Sequence, residues 1–167
     1  VVVPVHLGWQ PTEQEEIWNL AHEFGFKVLE DAAHSFGASR NGELVGSCKW
    51  SHITVFSFHP VKIITTGEGG MATTNDDELA WRMTAFRSHG ITRDSARMQR
   101  EPAGPWYYEQ LELGYNYRMT DLQAALGLSQ FVRLDEFLER RNALARRYDE
   151  KLADLPLQLP MVQPENR

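Results

Sequence analysis

Short β-branched runs alternate with helical stripes along this chain, and that pattern predicts an α/β fold. Residues Val1 to His6 form the first run, which is typical of a buried parallel strand. Lys27 to Glu30 predicts the next strand. Between the two, apolar residues recur at helical spacing on one face: Ile17, Leu20, Ala21 and Phe24. A strand, a helix and a strand in this order imply a right-handed crossover in a mainly parallel sheet with flanking helices.

Three helices are predicted to begin at a pair in which an N-terminal side chain and a glutamate or glutamine three residues later satisfy backbone N–H groups, and the last of these pairs is Thr120 with Gln123. Thr12 with Glu15 is the first such pair, and Asn75 with Glu78 is the second. Helical spacing after the second pair predicts a buried stripe formed by Leu79, Met83 and Phe86.

The remaining pattern predicts a third strand, a long loop and a long helix. Ile53 to Phe58 is the strand, and Met71 to Thr74 resumes extended structure. Residues 91–112 are irregular and carry prolines and aromatic residues, as active-site covers often do. Leu134 to Leu152 has the periodicity of an amphipathic helix.

Composition narrows the classes of function. The 167 residues are 42% hydrophobic and 24% charged, which is typical of a globular protein. A net charge of -6 argues against a nucleic-acid surface, which would need clustered Lys and Arg. Cys48 is the single cysteine, so neither a disulfide nor a cysteine metal site is available and a reducing compartment is indicated. With no apolar run long enough for a bilayer, we expect a cytoplasmic protein without nucleic-acid or membrane partners.

Candidate chemistry is concentrated in Phe56 to Gly70, FSFHPVKIITTGEGG. Lys62 is the one lysine in this stretch, and a held, desolvated lysine forms a Schiff base with an aldehyde cofactor. Ser57 can donate its hydroxyl to a phosphate, and the glycines at 67, 69 and 70 let backbone approach a ligand. The alternatives are a solvated surface lysine and an ordinary turn.

A second candidate group is the string EDAAH, which follows a predicted strand. Asp31 would lie at the carboxyl end of that strand, the edge at which open α/β sheets bind ligands. A carboxylate there could pair with the ring nitrogen of pyridoxal phosphate and keep it protonated. His34 could lie against the ring. The alternatives are a turn-capping aspartate and a structural histidine.

Taken together, EDAAH, FSFHPVK, TTGEGG and LGYNYRMTDLQAALG resemble the DegT-type sugar-nucleotide aminotransferases, which have fold type I. The similarity covers nearly the whole chain. Within that family, ITTGEGG is most similar to the transaminases of pseudaminic acid biosynthesis. The resemblance implies an α/β large domain of a pyridoxal 5'-phosphate enzyme that aminates a nucleotide-linked 4-keto-6-deoxy sugar, UDP-linked by preference, with glutamate as donor.

The resemblance also implies a role for each cofactor-binding position. Lys62 would carry the cofactor and move the proton during catalysis. Asp31 would pair with the ring nitrogen, His34 would hold the ring or its phenolic oxygen, and Ser57 would bind the phosphate. Asn116, in the GYNYR motif, would reach the phosphate of the neighbouring subunit, which implies a homodimer with shared active sites.

Two further residues of the same motif are implied to bind substrate. Tyr117 and Arg118 would stand beside the shared site, where the planar guanidinium of Arg118 could hold a carboxylate or phosphate in two hydrogen bonds. Their neighbour Asn116 has an alternative as a left-handed turn residue, since asparagine tolerates that conformation. Arg118 could instead form a structural ion pair.

The resemblance divides the chain into three parts: residues 1–132 as a partial cofactor-binding large domain, 133–155 as the helix leading to a small domain, and 156–167 as the start of a truncated C-terminal domain. The chain opens inside a predicted strand without an initiator methionine. We therefore expect a fragment of a longer enzyme, inactive by itself.

The sequence leaves three other functions open. A dehydratase of the same family would replace the Schiff-base lysine by histidine, and Lys62 argues against it. A non-catalytic regulator on the same scaffold would not need Asp31, Ser57 and Lys62 together. A nicotinamide-binding domain is disfavoured because no GxGxxG follows the first strand.

Overall fold

The computed structural model describes residues 1–167, which form two compact units. The first unit comprises residues 1–74 and 121–167, and the second comprises residues 75–120. The helices are α1 (Gln14–Phe24), α2 (Asp77–Arg87), α3 (Asp121–Phe131) and α4 (Leu134–Leu152). The strands are β1 (Leu29–Asp31), β2 (Ser39–Arg40), β3 (Glu43–Leu44), β4 (Ile53–Ser57), β5 (Gly70–Thr73), β6 (Ile91–Thr92) and β7 (Glu109–Gln110).

The main sheet of the first unit has the order β1-β4-β5. Strands β1 and β4 are parallel, with Asp31 opposite Val55, and β5 is antiparallel to β4, with Ser57 opposite Gly70. Parallel neighbours end at the same edge, so the residues that follow β1 and β4 share one side of the sheet. The prediction of an α/β fold with a parallel sheet is confirmed, with β5 as an antiparallel addition.

The first predicted strand is reduced to two isolated parallel bridges, Val2 with Val28 and Val5 with Asp31. Pro4 lies between them and has no N–H to offer a ladder, although its carbonyl accepts the Asp31 N–H at 2.9 Å. The predicted continuous strand at Val1 to His6 is therefore wrong in extent but correct in direction.

Of the predicted pairs, the first two do not cap their helices. The chain turns at Thr12, whose N–H donates to His6 Nδ1 at 3.1 Å and whose buried Oγ1 has no partner. Helix α1 thus begins after Glu13 without a side-chain cap. Helix α2 is capped one residue later than predicted, because the carboxylate of Asp76 accepts the N–H groups of residues 78 and 79.

An aromatic cluster ties α3 to the main sheet. The Phe36 ring packs edge-on against Phe56 at 5.1 Å, Phe58 at 5.6 Å and Phe131 at 6.0 Å between ring centroids. Phe56 and Phe58 lie on and just after β4 and are buried. The ring contacts of this cluster hold the end of α3 beside the loop that leaves the carboxyl end of β4.

The C-terminal residues pack on β2. Residues 39 and 167 exchange backbone hydrogen bonds of 2.7 and 2.8 Å. The guanidinium of Arg40 donates to Gln163 Oε1 at 2.6 Å and Asn166 Oδ1 at 3.0 Å. These bonds anchor the end of the chain to the first unit. No helix in the structure is both long and apolar enough to cross a membrane.

The second unit contains the predicted long loop, which is more ordered than its composition suggests. Strands β6 and β7 pair antiparallel and close it. The carboxylate of Glu109 accepts the N–H groups of Gln99 at 2.6 Å and Arg100 at 3.0 Å and the Tyr107 hydroxyl at 2.9 Å. The hydrogen bond from the Gln99 N–H, with those from Tyr107 and Arg100, lowers the pKa of Glu109.

Candidate active site

Asp31 ends β1 and is held on both sides. Its N–H donates to the Pro4 carbonyl at 2.9 Å, and its own carbonyl accepts the His6 N–H at 3.0 Å. One carboxylate oxygen, Oδ1, accepts the Ala33 N–H at 3.0 Å. One oxygen of this half-buried side chain therefore caps the turn, as the alternative role for Asp31 requires. His34 lies three residues further on the same turn, with an exposed side chain.

Ser57 is the last residue of β4 and lies at the same sheet edge as Asp31. Its Oγ accepts the N–H of His59 at 3.4 Å. The chain then turns, and the Lys62 N–H donates to the His59 carbonyl at 2.9 Å. Lys62 is half-buried and forms no salt bridge, so its amine is not committed to a neighbouring carboxylate.

The loop that carries Lys62 is closed at its base by Phe58. The Phe58 N–H donates to the Gly69 carbonyl at 2.9 Å, and the Phe58 carbonyl accepts the Thr66 N–H at 3.0 Å. Gly70 follows immediately, and a Cβ there would lie 2.7 Å from the Phe56 carbonyl oxygen. Only glycine allows β5 to approach β4 this closely, so the GEGG turn has a backbone reason for its composition.

Helix α3 supports the Lys62 loop from one face. The Thr65 N–H donates to Gln130 Oε1 at 2.8 Å, and Gln123 Nε2 donates to the Glu68 carbonyl at 2.9 Å. Between these two glutamines, a Cβ on Gly127 would lie only 2.8 Å from the Thr66 methyl carbon. Their i, i+4, i+7 spacing places them on one helix face, and the sequence analysis did not identify this face as a contact for the loop.

The GYNYR motif lies in the second unit and continues from β7. Asn116 forms an antiparallel bridge with Ser88, and its φ is not positive, so the left-handed turn considered for it is wrong. Its neighbours Tyr115 and Tyr117 stack at 4.9 Å with an angle of 8° between rings. Arg118 is exposed and forms no salt bridge within this chain, so no ion pair here supports its structural alternative.

The donor set of the first unit fits pyridoxal phosphate. A carboxylate suits a ring nitrogen that must stay protonated, a hydroxyl suits a phosphate, and an uncommitted primary amine suits an aldehyde. Asp31 and Ser57 bring the first two to one sheet edge, and Lys62 lies on the loop that leaves that edge. No cluster of metal-ligating side chains accompanies them.

Known proteins similar to this chain include two curated relatives. The spore coat polysaccharide biosynthesis protein SpsC of Bacillus subtilis is 41% identical over 167 residues, which is 99% of this chain and 42% of SpsC. The UDP-4-amino-4,6-dideoxy-N-acetyl-beta-L-altrosamine transaminase of Campylobacter jejuni is 39% identical over 147 residues, which is 88% of this chain and 36% of that protein. The chain thus spans about two-fifths of the length of these relatives.

Solved structures are similar over the same extent. Helicobacter pylori PseC, an aminotransferase involved in the biosynthesis of pseudoaminic acid, has a TM-score of 0.83 and 33% identity and covers 92% of this chain and 38% of its own. The PMP-form of the putative sugar aminotransferase Spr1654 from Streptococcus pneumoniae has a TM-score of 0.76 and 31% identity, covering 91% of this chain and 42% of its own. A PLP-form of Spr1654 is also known.

The family comparison covers the chain completely. The DegT/DnrJ/EryC1/StrS aminotransferase family matches residues 1–167. Enzymes of this family depend on pyridoxal phosphate, as the two cofactor forms of Spr1654 illustrate. The predictions of family, fold type and cofactor are thereby confirmed, and this chain belongs to the DegT/DnrJ/EryC1/StrS aminotransferase family.

Proposed function

We propose that this chain is the cofactor-holding part of an enzyme that transfers an amino group from glutamate to a nucleotide-linked 4-keto-6-deoxy sugar. The observation that carries the proposal is the placement of Asp31 and Ser57 at one edge of the sheet, with Lys62 on the loop that follows. Within the larger enzyme, residues 1–132 belong to the large domain, 133–155 lead to a small domain, and 156–167 begin it.

Each residue of the first unit has a definite task in this proposal. Pyridoxal phosphate, when bound, supplies an electron sink for the carbon that loses its proton. Lys62 holds the cofactor through Nζ and moves the proton to and from the reacting carbon. Asp31 keeps the proton on the ring nitrogen, His34 lies against the ring, and Ser57 donates its hydroxyl to the phosphate.

The GYNYR residues complete a shared site in a homodimer. Asn116 lies in an exposed, extended segment, from which its amide can donate to a phosphate held by the other subunit. Tyr117 and Arg118 follow it with exposed side chains available to substrate. A two-fold interface makes each such contact twice.

Subunit mixing tests the shared site. An inactive Lys62→Ala full-length protein is combined with an inactive Asn116→Ala protein under conditions that exchange subunits. A mixed dimer places both defects in one site and leaves the other intact, so we expect activity to return in part. If proven exchange restores no activity, Asn116 does not act across the interface.

The names of the relatives favour a UDP-linked sugar. The Campylobacter jejuni relative is named for a UDP-linked 4-amino-4,6-dideoxy sugar, whereas SpsC is named for spore coat polysaccharide. We therefore place the enzyme in the biosynthesis of a surface glycan, with the 4-keto precursor of UDP-4-amino-4,6-dideoxy-N-acetyl-β-L-altrosamine in pseudaminic acid biosynthesis as the first substrate to assay.

The test is an assay of the full-length protein with glutamate and a panel of UDP- and dTDP-linked 4-keto sugars, with the amino sugar detected by mass spectrometry. We expect amination of a UDP-linked member. The Lys62→Ala variant is the matched control, which should bind cofactor without a covalent link and produce no amino sugar. A dehydrated sugar in place of an aminated one would contradict the proposal.

A further inference from the structure

Immediately before Asp31 on β1 stands a carboxylate that the proposed chemistry does not use. Glu30 is 1% exposed, and its closest ionisable neighbour, His6, is 0% exposed. Because successive side chains of a strand point to opposite faces, Glu30 faces away from its catalytic neighbour. We propose that Glu30 is a positioning residue, whose buried hydrogen bonds fix the end of β1 and so place the Asp31 carboxylate for the cofactor ring. This inference rests on the proposed function.

Side-chain donors from three segments converge on Glu30. Its Oε2 accepts the Thr54 hydroxyl at 2.6 Å and the Ser51 hydroxyl at 3.1 Å. Its Oε1 accepts a short hydrogen bond from Gln14 Nε2. Thr54 is on β4, Ser51 precedes that strand, and Gln14 opens α1. The carboxylate therefore joins β1 to its neighbouring strand and to the helix above it.

His6 adds the N-terminal segment to this network. Its Nδ1 accepts the Thr12 N–H at 3.1 Å, so the proton of a neutral His6 ring resides on Nε2. That Nε2 lies 3.6 Å from Glu30 Oε1 and has no hydrogen-bond partner. The buried Nε2 thus lies beside the Glu30 carboxylate, and the attraction between the two favours the packing of residues 4–6 against β1.

The protonation state of Glu30 agrees with this geometry. Burial raises the pKa of the carboxyl group, but hydrogen bonds from Gln14 and Thr54 and the electrostatic attraction of the nearby His6 ring outweigh burial and hold the pKa below its ordinary value. A carboxyl group whose pKa lies below its ordinary value has lost its proton at neutral pH and can accept hydrogen bonds from Gln14, Ser51 and Thr54 at once. Glu30 is therefore ionised, and a neutral amide at this position cannot satisfy the same donors.

The network acts on both backbone groups of Asp31. The Asp31 N–H donates to the Pro4 carbonyl, and the Asp31 carbonyl accepts the His6 N–H. Both partners belong to the N-terminal segment, whose His6 ring lies beside Glu30. On the opposite side, β1 is paired with β4, to which the Thr54 hydroxyl attaches Glu30. Loss of the Glu30 hydrogen bonds therefore weakens the contacts of Asp31 with both the N-terminal segment and β4. The Asp31 side chain then keeps only its bond to the Ala33 N–H.

The test compares Glu30→Gln with Thr92→Val in the full-length protein. Thr92 is also buried, accepts the Asp94 N–H through Oγ1, and belongs to the second unit, so it controls for the loss of a buried polar group. Both variants are measured for unfolding by urea, for the half-reaction with glutamate at saturating cofactor, and for the ¹⁵N resonance of the ring nitrogen of labelled pyridoxal phosphate.

We expect Glu30→Gln to slow the half-reaction roughly ten- to a hundredfold, as small misplacements of a catalytic group do. The ring-nitrogen resonance should move toward the neutral form. Thr92→Val should lower stability and leave both readouts unchanged. If Glu30→Gln behaves like Thr92→Val, Glu30 is a stabilising residue only and the inference is overturned.

A milder variant covers the case in which Glu30→Gln does not fold. Ser51→Ala removes one donor and keeps the charge, so it should shift the ring-nitrogen resonance in the same direction by a smaller amount. An unchanged resonance in Ser51→Ala would overturn the inference. Failure of the wild-type protein to bind pyridoxal phosphate would instead refute the proposed function, which keeps the two failures distinct.

Discussion

Replacing Gly127 by alanine tests whether α3 positions the Lys62 loop. The new Cβ would lie 2.8 Å from the Thr66 methyl carbon, against roughly 3.5–4.0 Å for carbon atoms in favourable contact. Thr66 is buried, and its hydroxyl donates to the Glu68 carbonyl at 2.8 Å, so the side chain cannot rotate away without losing that bond. The loop must therefore move away from the helix.

Two opposing effects set the change in the free energy of unfolding that Gly127→Ala causes. Overpacking of this kind costs about 1–3 kcal/mol. Alanine is better than glycine in a helix by about 1 kcal/mol, which offsets part of that cost. We expect Gly127→Ala to lower the free energy of unfolding by about 1 kcal/mol and to weaken cofactor binding, because the displaced loop carries Lys62.

Urea denaturation of the full-length protein measures the effect, and a double-mutant cycle identifies its cause. Thr66→Ser deletes the methyl group and keeps the hydroxyl, so Gly127→Ala should become stabilising in that background, with a coupling energy of about 1–3 kcal/mol. Ala125→Gly, at an exposed position of the same helix, measures the propensity term separately. If Gly127→Ala stabilises the protein and shows no coupling to position 66, the helix does not constrain the loop.

Four further outcomes are expected. Asp31→Asn should slow transamination on the order of 10²-fold or more, measured as kcat/KM, because the ring nitrogen loses its anionic partner; near-normal turnover would leave a turn-capping role only. Ser57→Ala should raise the dissociation constant of pyridoxal phosphate about tenfold in equilibrium titrations, whereas an unchanged constant would remove the serine from the phosphate site. Arg40→Ala should lower the free energy of unfolding by about 2 kcal/mol, since it loses charged hydrogen bonds to the C-terminal residues; no change in urea denaturation would show that those bonds contribute little. In the folded protein the pKa of Glu30 lies below the ordinary value of 4.5, so near and below that pH the unfolded chain binds more protons and the free energy of unfolding should fall as the pH drops. A Glu30→Gln variant with the same acid sensitivity would show that Glu30 does not cause this loss.

The features that sequence predicted well are those fixed by strong periodicity or by chemistry at a strand end. Leu134–Leu152 is helical with the predicted bounds. Asp31 and Ser57 end parallel neighbouring strands, as their positions after apolar runs indicated. In such segments, the local pattern and the tertiary packing favour the same structure.

The features that sequence missed depend on contacts between distant segments. The Thr12 N–H is bonded to the buried His6 ring, so it is not available to the Glu15 side chain as a capping box requires. Gln123 and Gln130 resemble solvated helix residues until α3 is placed beside the loop that they hold. Glu30 would be expected at the surface by residue type, and only its convergent donors explain its burial.

Borohydride reduction of the full-length protein, followed by peptide mapping, tests the central claim most directly. The protein as purified should be yellow, and reduction should abolish its absorbance band while fixing the cofactor covalently to one peptide. We predict that this peptide contains Lys62, on the loop that leaves the carboxyl end of β4. An adduct on Lys27 or Lys49, or a reduced protein without any adduct, would contradict the assignment of Lys62 as the residue that holds pyridoxal phosphate.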